Sequence, residues 1–335
     1  MADTKITIRD IAEMAGVSKT TVSFYLNGRT QKMSEETREK IRSIIEETGY
    51  QPNIAARSLS QKHSHLIGVI IGDITNSFSN KIVKGIEDSA REHGYQILIG
   101  NSNYTAKTES TYIRQMLTFS VDGFIIQPTT GFGAARELLN KMEKPYVFFD
   151  SKTYDEDTNW VKTDNYDATF RTVELLIEKG YQRFLVIHAD PKLLSTRLER
   201  SQGFTEAVLL HKLELNSLII TEAALDVDKI ANFIREHTRD GVPTLVYVPN
   251  CWALPTVYQA LEACRTLMPD KIGLIGFDNT DWADFASPRV TTIVQPAYEE
   301  GQKATDILID LIEDRHEENL HQVLPCSVHW SETTM

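Results

Sequence analysis

Apolar positions recur with two different periods along this chain. In the first 50 residues they return every three or four positions in short runs, the mark of small amphipathic helices. Thr7 and Asp10 form a T-x-x-D start, followed by Ile8, Ile11, Ala12 and Ala15, and Gly16 is a left-handed stop. Ser18 caps a second helix with Val22 and Leu26 on one face, and Asn27-Gly28 ends it. Ser34 caps a third; Glu35 and Glu36 sit in its first turn, Ile41, Ile44, Ile45 and Thr48 form its inner stripe, and Gly49 closes it. Only Gly16-Val17-Ser18 separates the first two helices, which is helix-turn-helix spacing. A plain three-helix bundle has the same periodicity. After Tyr50, Pro52 breaks the helix, Asn53 can cap a new one, and Ala55 to Leu59 can form it. That stretch is too short to be stable alone in water, and a marginal segment can fold on meeting a partner.

From Ser64 onward, unbroken apolar blocks alternate with helical stripes. Leu66 to Ile71 is a buried strand, and Ile82, Val83, Ile86 and Ala90 form a stripe stopped by Gly94. Further strands are expected at 95–99, 123–126 and 145–150. The rhythm repeats after 165: helices at about 167–179, 197–211, 227–237 and 254–265, with strands at 184–187, 218–220, 244–248 and 272–277. This predicts βαβ architecture with parallel sheets in two lobes. No glycine-rich phosphate cradle follows any strand, so dinucleotide and P-loop chemistry is not expected. Asp73, Gln127, Asp150, Asn250 and Asp278 fall just after strand ends, where open α/β sheets bind ligands. One such residue can be a mere helix cap; five predict a cleft.

Charge sharpens the division. Residues 1–62 carry ten Lys/Arg against eight Asp/Glu, whereas residues 63–335 carry 25 against 39. A weakly basic unit ahead of an acidic body points to a nucleic-acid module on a larger domain. No run approaches the roughly 18 apolar residues of a membrane span, and MADTKITIRD has no secretory h-region. Cys251, Cys264 and Cys326 form no CxxC pair, so neither a disulfide framework nor a zinc site is expected, and the cytoplasm is the expected location. The nine histidines are scattered, and no catalytic constellation, metal-ligand set or cofactor motif is present. An enzyme is therefore not expected.

TIRDIAEMAGVSKTTVSFYLNG, MSEETREKI, GYQPNIAARSL and HLIGVII resemble a LacI-type bacterial repressor. VDGFII, RSQGF, IGFDN and PRVTTIVQP extend the similarity over nearly the whole chain. The resemblance implies an all-α helix-turn-helix domain at 1–50, a hinge helix and linker at 51–64, and a two-lobed, periplasmic-binding-protein-like effector domain at 65–335. Its lobe one would span about 65–162 and 294–322, and its lobe two about 163–293 and 323–333. Operator DNA, a sugar or sugar-acid effector and a second copy of the chain are the implied partners. Lys19 and Thr20 would then read bases, while Thr7, Ser18, Thr21, Ser23, Asn27, Ser34 and Thr37 would hold the DNA backbone. Phe24 stands where most members have Arg; it either touches a thymine methyl or packs on its own domain. Asn53, Ala56 and Leu59 match the positions that enter the minor groove, with Leu59 as the wedge.

For the effector, the resemblance implies Asp150, Arg200, Asn250 and Asp278, with Gln127 and Phe78 nearby. Two further residues are features of this chain. Trp252, in Asn250-Cys251-Trp252, either stacks on the ligand or fills a lobe core. Arg197 lies three residues before Arg200, so both can face one side; otherwise it pairs with Glu199 or points to solvent. Two guanidiniums would favour a carboxylate or phosphate, and Asp150 and Asp278 would accept hydroxyls, which favours a sugar acid over a neutral sugar. The competing class is a cytoplasmic sugar-binding or sugar-processing α/β protein whose N-terminal helices are structural.

Overall fold

The computed structural model describes residues 6–335 apart from Asn27, 51–62, 153–157, Asp240, Asn279 and 316–319. It divides after Ser64 into two compact units.

In the first unit, helices Ile8–Ala15, Lys19–Leu26 and Glu35–Thr48 enclose Ile11, Ala12, Ala15, Val22, Ile41 and Ile44. The local signals act as the sequence predicts. Thr7 and Asp10 form a reciprocal capping box, and Gly16 ends the first helix at φ 67°. Ser18 Oγ accepts the Thr21 N–H at 3.1 Å, and Ser34 Oγ accepts the Thr37 N–H at 3.2 Å. Each cap satisfies an amide that the first helical turn leaves without a partner.

The second unit contains two six-stranded sheets. The strands are β1 (Leu66–Ile71), β2 (Gln96–Asn101), β3 (Gly123–Ile126), β4 (Tyr146–Phe149), β5 (Asn159–Thr163), β6 (Arg183–His188), β7 (Glu214–Ile219), β8 (Thr244–Val248), β9 (Ile272–Phe277), β10 (Thr291–Val294), β11 (His321–Leu324) and β12 (Ser327–His329). Lobe one has the order β11-β5-β4-β3-β1-β2 and lobe two the order β12-β10-β9-β8-β6-β7. All pairs are parallel except β10 with β12. Helices cover both faces, which explains why the inner strands are continuously apolar rather than alternating.

The chain crosses between lobes three times: after β5, between β10 and helix Ala297–Ile312, and between β11 and β12. The third crossing corrects the expected boundary at 322. All of β11 pairs with β5 through Leu324↔Thr163, so lobe one extends two residues further. Periodicity also missed β5, β10, β11, β12 and helix Ala297–Ile312, and it placed a strand at 218–220 that runs over Glu214–Ile219. The expected helix at 254–265 is an α-helix over Leu254–Ala260 followed by a 3-10 segment, Glu262–Leu267.

Helix Ser195–Leu210 is held close to helix Asn165–Glu178 by Gly203. A Cβ there would lie 2.5 Å from the Tyr166 carbonyl oxygen. This contact sets the height at which Arg197 and Arg200, on the same helix, meet the sheet ends.

Candidate functional site

The polar cleft of the second unit forms where both sheets end. Asp150 follows β4 and Asp278 follows β9, the equivalent strand of the other lobe. Both have positive φ, 59° and 56°. Left-handed backbone at a residue other than glycine carries strain, which aspartate tolerates better than most. Both amides donate to the neighbouring strand, Asp150 to the Val161 carbonyl at 3.1 Å and Asp278 to the Ile293 carbonyl at 2.7 Å. The same correspondence holds one strand inward. Gln127 Oε1 accepts the Gly72 N–H at 2.8 Å, and Asn250 Oδ1 accepts the Ala189 N–H at 2.8 Å. Gln127 and Asn250 thus fix the cleft backbone as well as lining it.

Arg200 is the cation between these groups. Its Nε donates to Asn165 Oδ1 at 2.7 Å, Nη1 to the Pro249 carbonyl at 3.0 Å and Nη2 to Gln295 Oε1 at 2.5 Å. Its plane lies 3.7 Å from the centroid of Phe277. Among the described residues, no carboxylate closes to ion-pair distance with it. Nevertheless, three buried carboxyls feel its charge. Burial raises Asp150, with Arg200 opposing. Asp278 is pushed up to about 6, again by burial, with Arg200 and the Gln295 amide opposing. Glu300 is also raised well above the usual carboxylate range, by burial and then by Asp150. Its Oε1 accepts the Asp150 N–H at 2.6 Å. Asp150 Oδ2 accepts from Gln127 Nε2 at 2.6 Å, and Asp278 Oδ1 accepts from the Gln295 N–H at 2.9 Å. Arg200, Asp150 and Asp278 therefore face one space without closing into an ion pair.

Counted to its open mouth, that space is about 430 Å³. It is lined by all eight of the expected effector residues: Phe78, Gln127, Asp150, Arg197, Arg200, Asn250, Trp252 and Asp278. Arg197 does not pair with Glu199, which binds Lys162 across the lobes instead. Its guanidinium lies over the ring of Tyr104, 5.7 Å from the centroid, and burial lowers its pKa. Trp252 packs against the lobe-two core, one of its two expected alternatives, and also lines the space.

Sequence reasoning missed Tyr104 and Gln295, which also line the cleft. Tyr104 lies three residues beyond β2, and its ring fills the room left by Gly72, where a Cβ would come within 2.2 Å. Gln295 sits at the second crossing, where its Nε2 donates to Thr163 Oγ1 at 2.7 Å and reaches Asp150 Oδ1 at 3.5 Å. A polar residue between a strand and Pro296 was the available signal. Cys251 also lines the cleft, but burial raises its thiol to about 12, so it is not a nucleophile.

In the first unit, Lys19 and Thr20 are exposed at the start of the second helix. Phe24 is 43% exposed, so it does not simply fill its own core. Ser18 and Ser34 share hydroxyl hydrogen bonds with Thr21 (2.9 Å) and Thr37 (2.8 Å), and the Thr7 hydroxyl donates to Asp10 Oδ2 at 2.7 Å. Ser23 is half-buried on the second helix. Arg29 is an exposed cation the sequence reading did not single out. Among the described residues, the ion pairs of this unit engage Arg9, Arg38 and Arg42 but neither Lys19 nor Arg29. The expected contacts Asn27, Asn53, Ala56 and Leu59 lie outside the described residues.

Comparison with known proteins agrees with this division. Residues 7–53 match the family described as bacterial regulatory proteins, lacI family. Residues 64–329 match periplasmic binding proteins and sugar binding domain of LacI family. The chain is 32% identical over 316 residues to the probable HTH-type transcriptional regulator EndR of Paenibacillus polymyxa, covering 93% of this chain and 92% of that one. It is also 32% identical over 307 residues to the HTH-type transcriptional regulator PtxS of Pseudomonas putida, covering 91% and 89%. Among solved structures, a lac repressor dimer bound to operator and the anti-inducer ONPF matches with a TM-score of 0.85 and 24% identity over 98% of this chain and 99% of that one.

Proposed function

This chain belongs to the LacI family of bacterial regulatory proteins, and on that footing we propose that it represses carbohydrate or sugar-acid catabolic genes. In this reading it binds a pseudo-palindromic operator as a dimer and responds to an acidic, polyhydroxylated effector. The observation that carries the ligand class is the unquenched charge in the cleft. Arg197 and Arg200 offer forked donors to one anionic group, while Asp150 and Asp278 offer acceptors to hydroxyls. No helix among the described residues is long and apolar enough to cross a membrane, in keeping with a regulator that meets DNA.

On the DNA side, the exposed Lys19 and Thr20 would reach base edges, and Phe24 would offer apolar contact where an arginine is more usual. The capped hydroxyls of Thr7, Ser18, Thr21, Ser34 and Thr37 retain acceptor and donor capacity for phosphates. Leu59 would enter the minor groove and kink the duplex.

The test is a mobility shift on a promoter fragment selected from genomic DNA, with and without sugar acids and matching neutral sugars. Retardation lost on deleting residues 1–62 and altered by a sugar acid supports the proposal. Retardation that survives the deletion, or a neutral sugar binding best in calorimetry, contradicts it. Leu59→Ala should weaken operator binding more than random-DNA binding, since bending yields specificity; equal losses would remove the wedge role.

A further inference from the structure

We propose that the effector cleft continues past Leu194 into a second, cation-lined chamber that takes a phosphoryl group at the far end of the ligand. The effector is then an elongated, phosphorylated sugar acid. This rests on the deep cleft being the effector site.

The continuity is written in consecutive residues. Gln127 lines the deep cleft and Pro128 the outer chamber; Asp150 lines the deep cleft and Ser151 the outer one. Leu194 belongs to both, and helix Ser195–Leu210 sends Arg197 to one side and Leu198 to the other. The outer chamber is the roomier of the two.

Its chemistry differs from the body around it. The charged residues lining it, among those described, are Arg136, Lys152 and Lys192, with no carboxylate. Yet residues 63–335 carry 39 acidic against 25 basic residues. The Lys152 ammonium lies 4.9 Å from the centroid of the Trp160 ring rather than on a carboxylate. The buried Glu109 spends both oxygens on the chamber residue Thr129, accepting its N–H at 2.9 Å and its hydroxyl at 3.2 Å. Ser151 also lines the chamber and is 2% exposed; its hydroxyl is buried and, among the described residues, has no hydrogen-bond partner. Lysine point charges plus hydroxyl donors suit the three oxygens of a phosphoryl group.

The opposite mouth of the cleft has the opposite sign. It shares Asn76, Cys251 and Trp252 with the deep cleft and is flanked by Asp73 and Glu222. Burial and then Asp73 raise the Glu222 carboxyl. The cleft thus runs from acidic through mixed to cationic, which orients a ligand with its dianionic end beyond Leu194.

The experiment is calorimetry on the full-length protein with a panel of five- and six-carbon aldonic acids, each beside its terminal phosphate ester. The phosphate ester of the best acid should bind at least tenfold more tightly than the acid itself. That ratio should fall to within twofold in Lys192→Ala, whose side chain is exposed. If an acid binds but its phosphate gives no advantage, the outer chamber is not a phosphoryl site, and the sugar-acid reading stands. If no member binds, both readings fall. If inorganic phosphate alone raises affinity for the bare acid, the chamber holds a separate anion and the single-ligand form is overturned.

Discussion

The two lobes are built to one plan and used differently. Strand orders correspond position by position, and each lobe ends its third strand in a left-handed aspartate and its fourth in an amide side chain that ties back a neighbouring turn. The differences lie in what each lobe adds. Lobe two places two guanidiniums on helix Ser195–Leu210, where the equivalent helix of lobe one, Ser77–Glu92, places Phe78. Lobe one adds Glu300, which accepts the Asp150 N–H, and the aromatic face of Tyr104. A duplicated frame supplies matched acceptors, and the asymmetric additions supply sign and shape. An effector that spans both lobes is thereby recognised in one orientation.

The comparison is broken most directly at Arg200. Arg200→Ala leaves Asn165, Gln295 and the Pro249 carbonyl without their donor and three buried carboxyls without their cation. It should destabilise the sensor by about 3–5 kcal/mol in urea unfolding and abolish effector binding. A loss below about 1 kcal/mol would show that the lobes hold these groups independently.

Asp278 tests whether equivalent positions behave alike. Its carboxyl holds a proton to about pH 6 in the folded chain, against 3.8 in the unfolded one. The folded state therefore binds more protons between those values. Stability falls as pH rises from about 4 to 6 and is level above, by about 3 kcal/mol from this group at most. Asp278→Asn should remove that fall, and Asp150→Asn should change the pH dependence of stability in the same sense, since burial raises both carboxyls. Chemical denaturation at pH 4, 5, 6 and 7 measures this; an unchanged slope in both variants would refute it.

Gly203→Ala should cost about 1–3 kcal/mol, because its methyl would meet the Tyr166 carbonyl and push Arg197 and Arg200 from the sheet ends. Weaker effector binding alongside the lost stability would show that this helix contact positions the cations; unchanged affinity would show that the helix end moves independently of its middle.

The smallest effect is expected at Glu300→Gln, within about 1 kcal/mol, since the amide keeps an acceptor for the Asp150 N–H. Glu300→Leu, which removes the acceptor, should cost more. If the amide variant is as damaging as leucine in thermal unfolding, accepting the Asp150 N–H is not what Glu300 contributes.

Sequence alone determined the features set by near neighbours. The capping box at Thr7 and Asp10, the left-handed stops at Gly16 and Gly49, and the continuously apolar inner strands follow from spacings of a few residues. Gln127, Asp150, Asn250 and Asp278 were legible because strand ends are marked by a switch from apolar to polar, whereas Phe78 and Arg200 rested on the family resemblance. Tertiary structure decided the rest. β5, β10, β11 and β12 are short strands fixed by pairing partners up to some 160 residues away, and no local period announces them. Gln295 joins the cleft only because the chain crosses back between lobes beside Thr163. Asp150 and Glu300 are 150 residues apart in sequence, yet the Asp150 N–H donates to the Glu300 carboxyl, and burial together with the neighbouring Asp150 charge raises the Glu300 proton affinity. Which cation a side chain pairs with, and which it leaves free for a ligand, depends on long-range packing geometry.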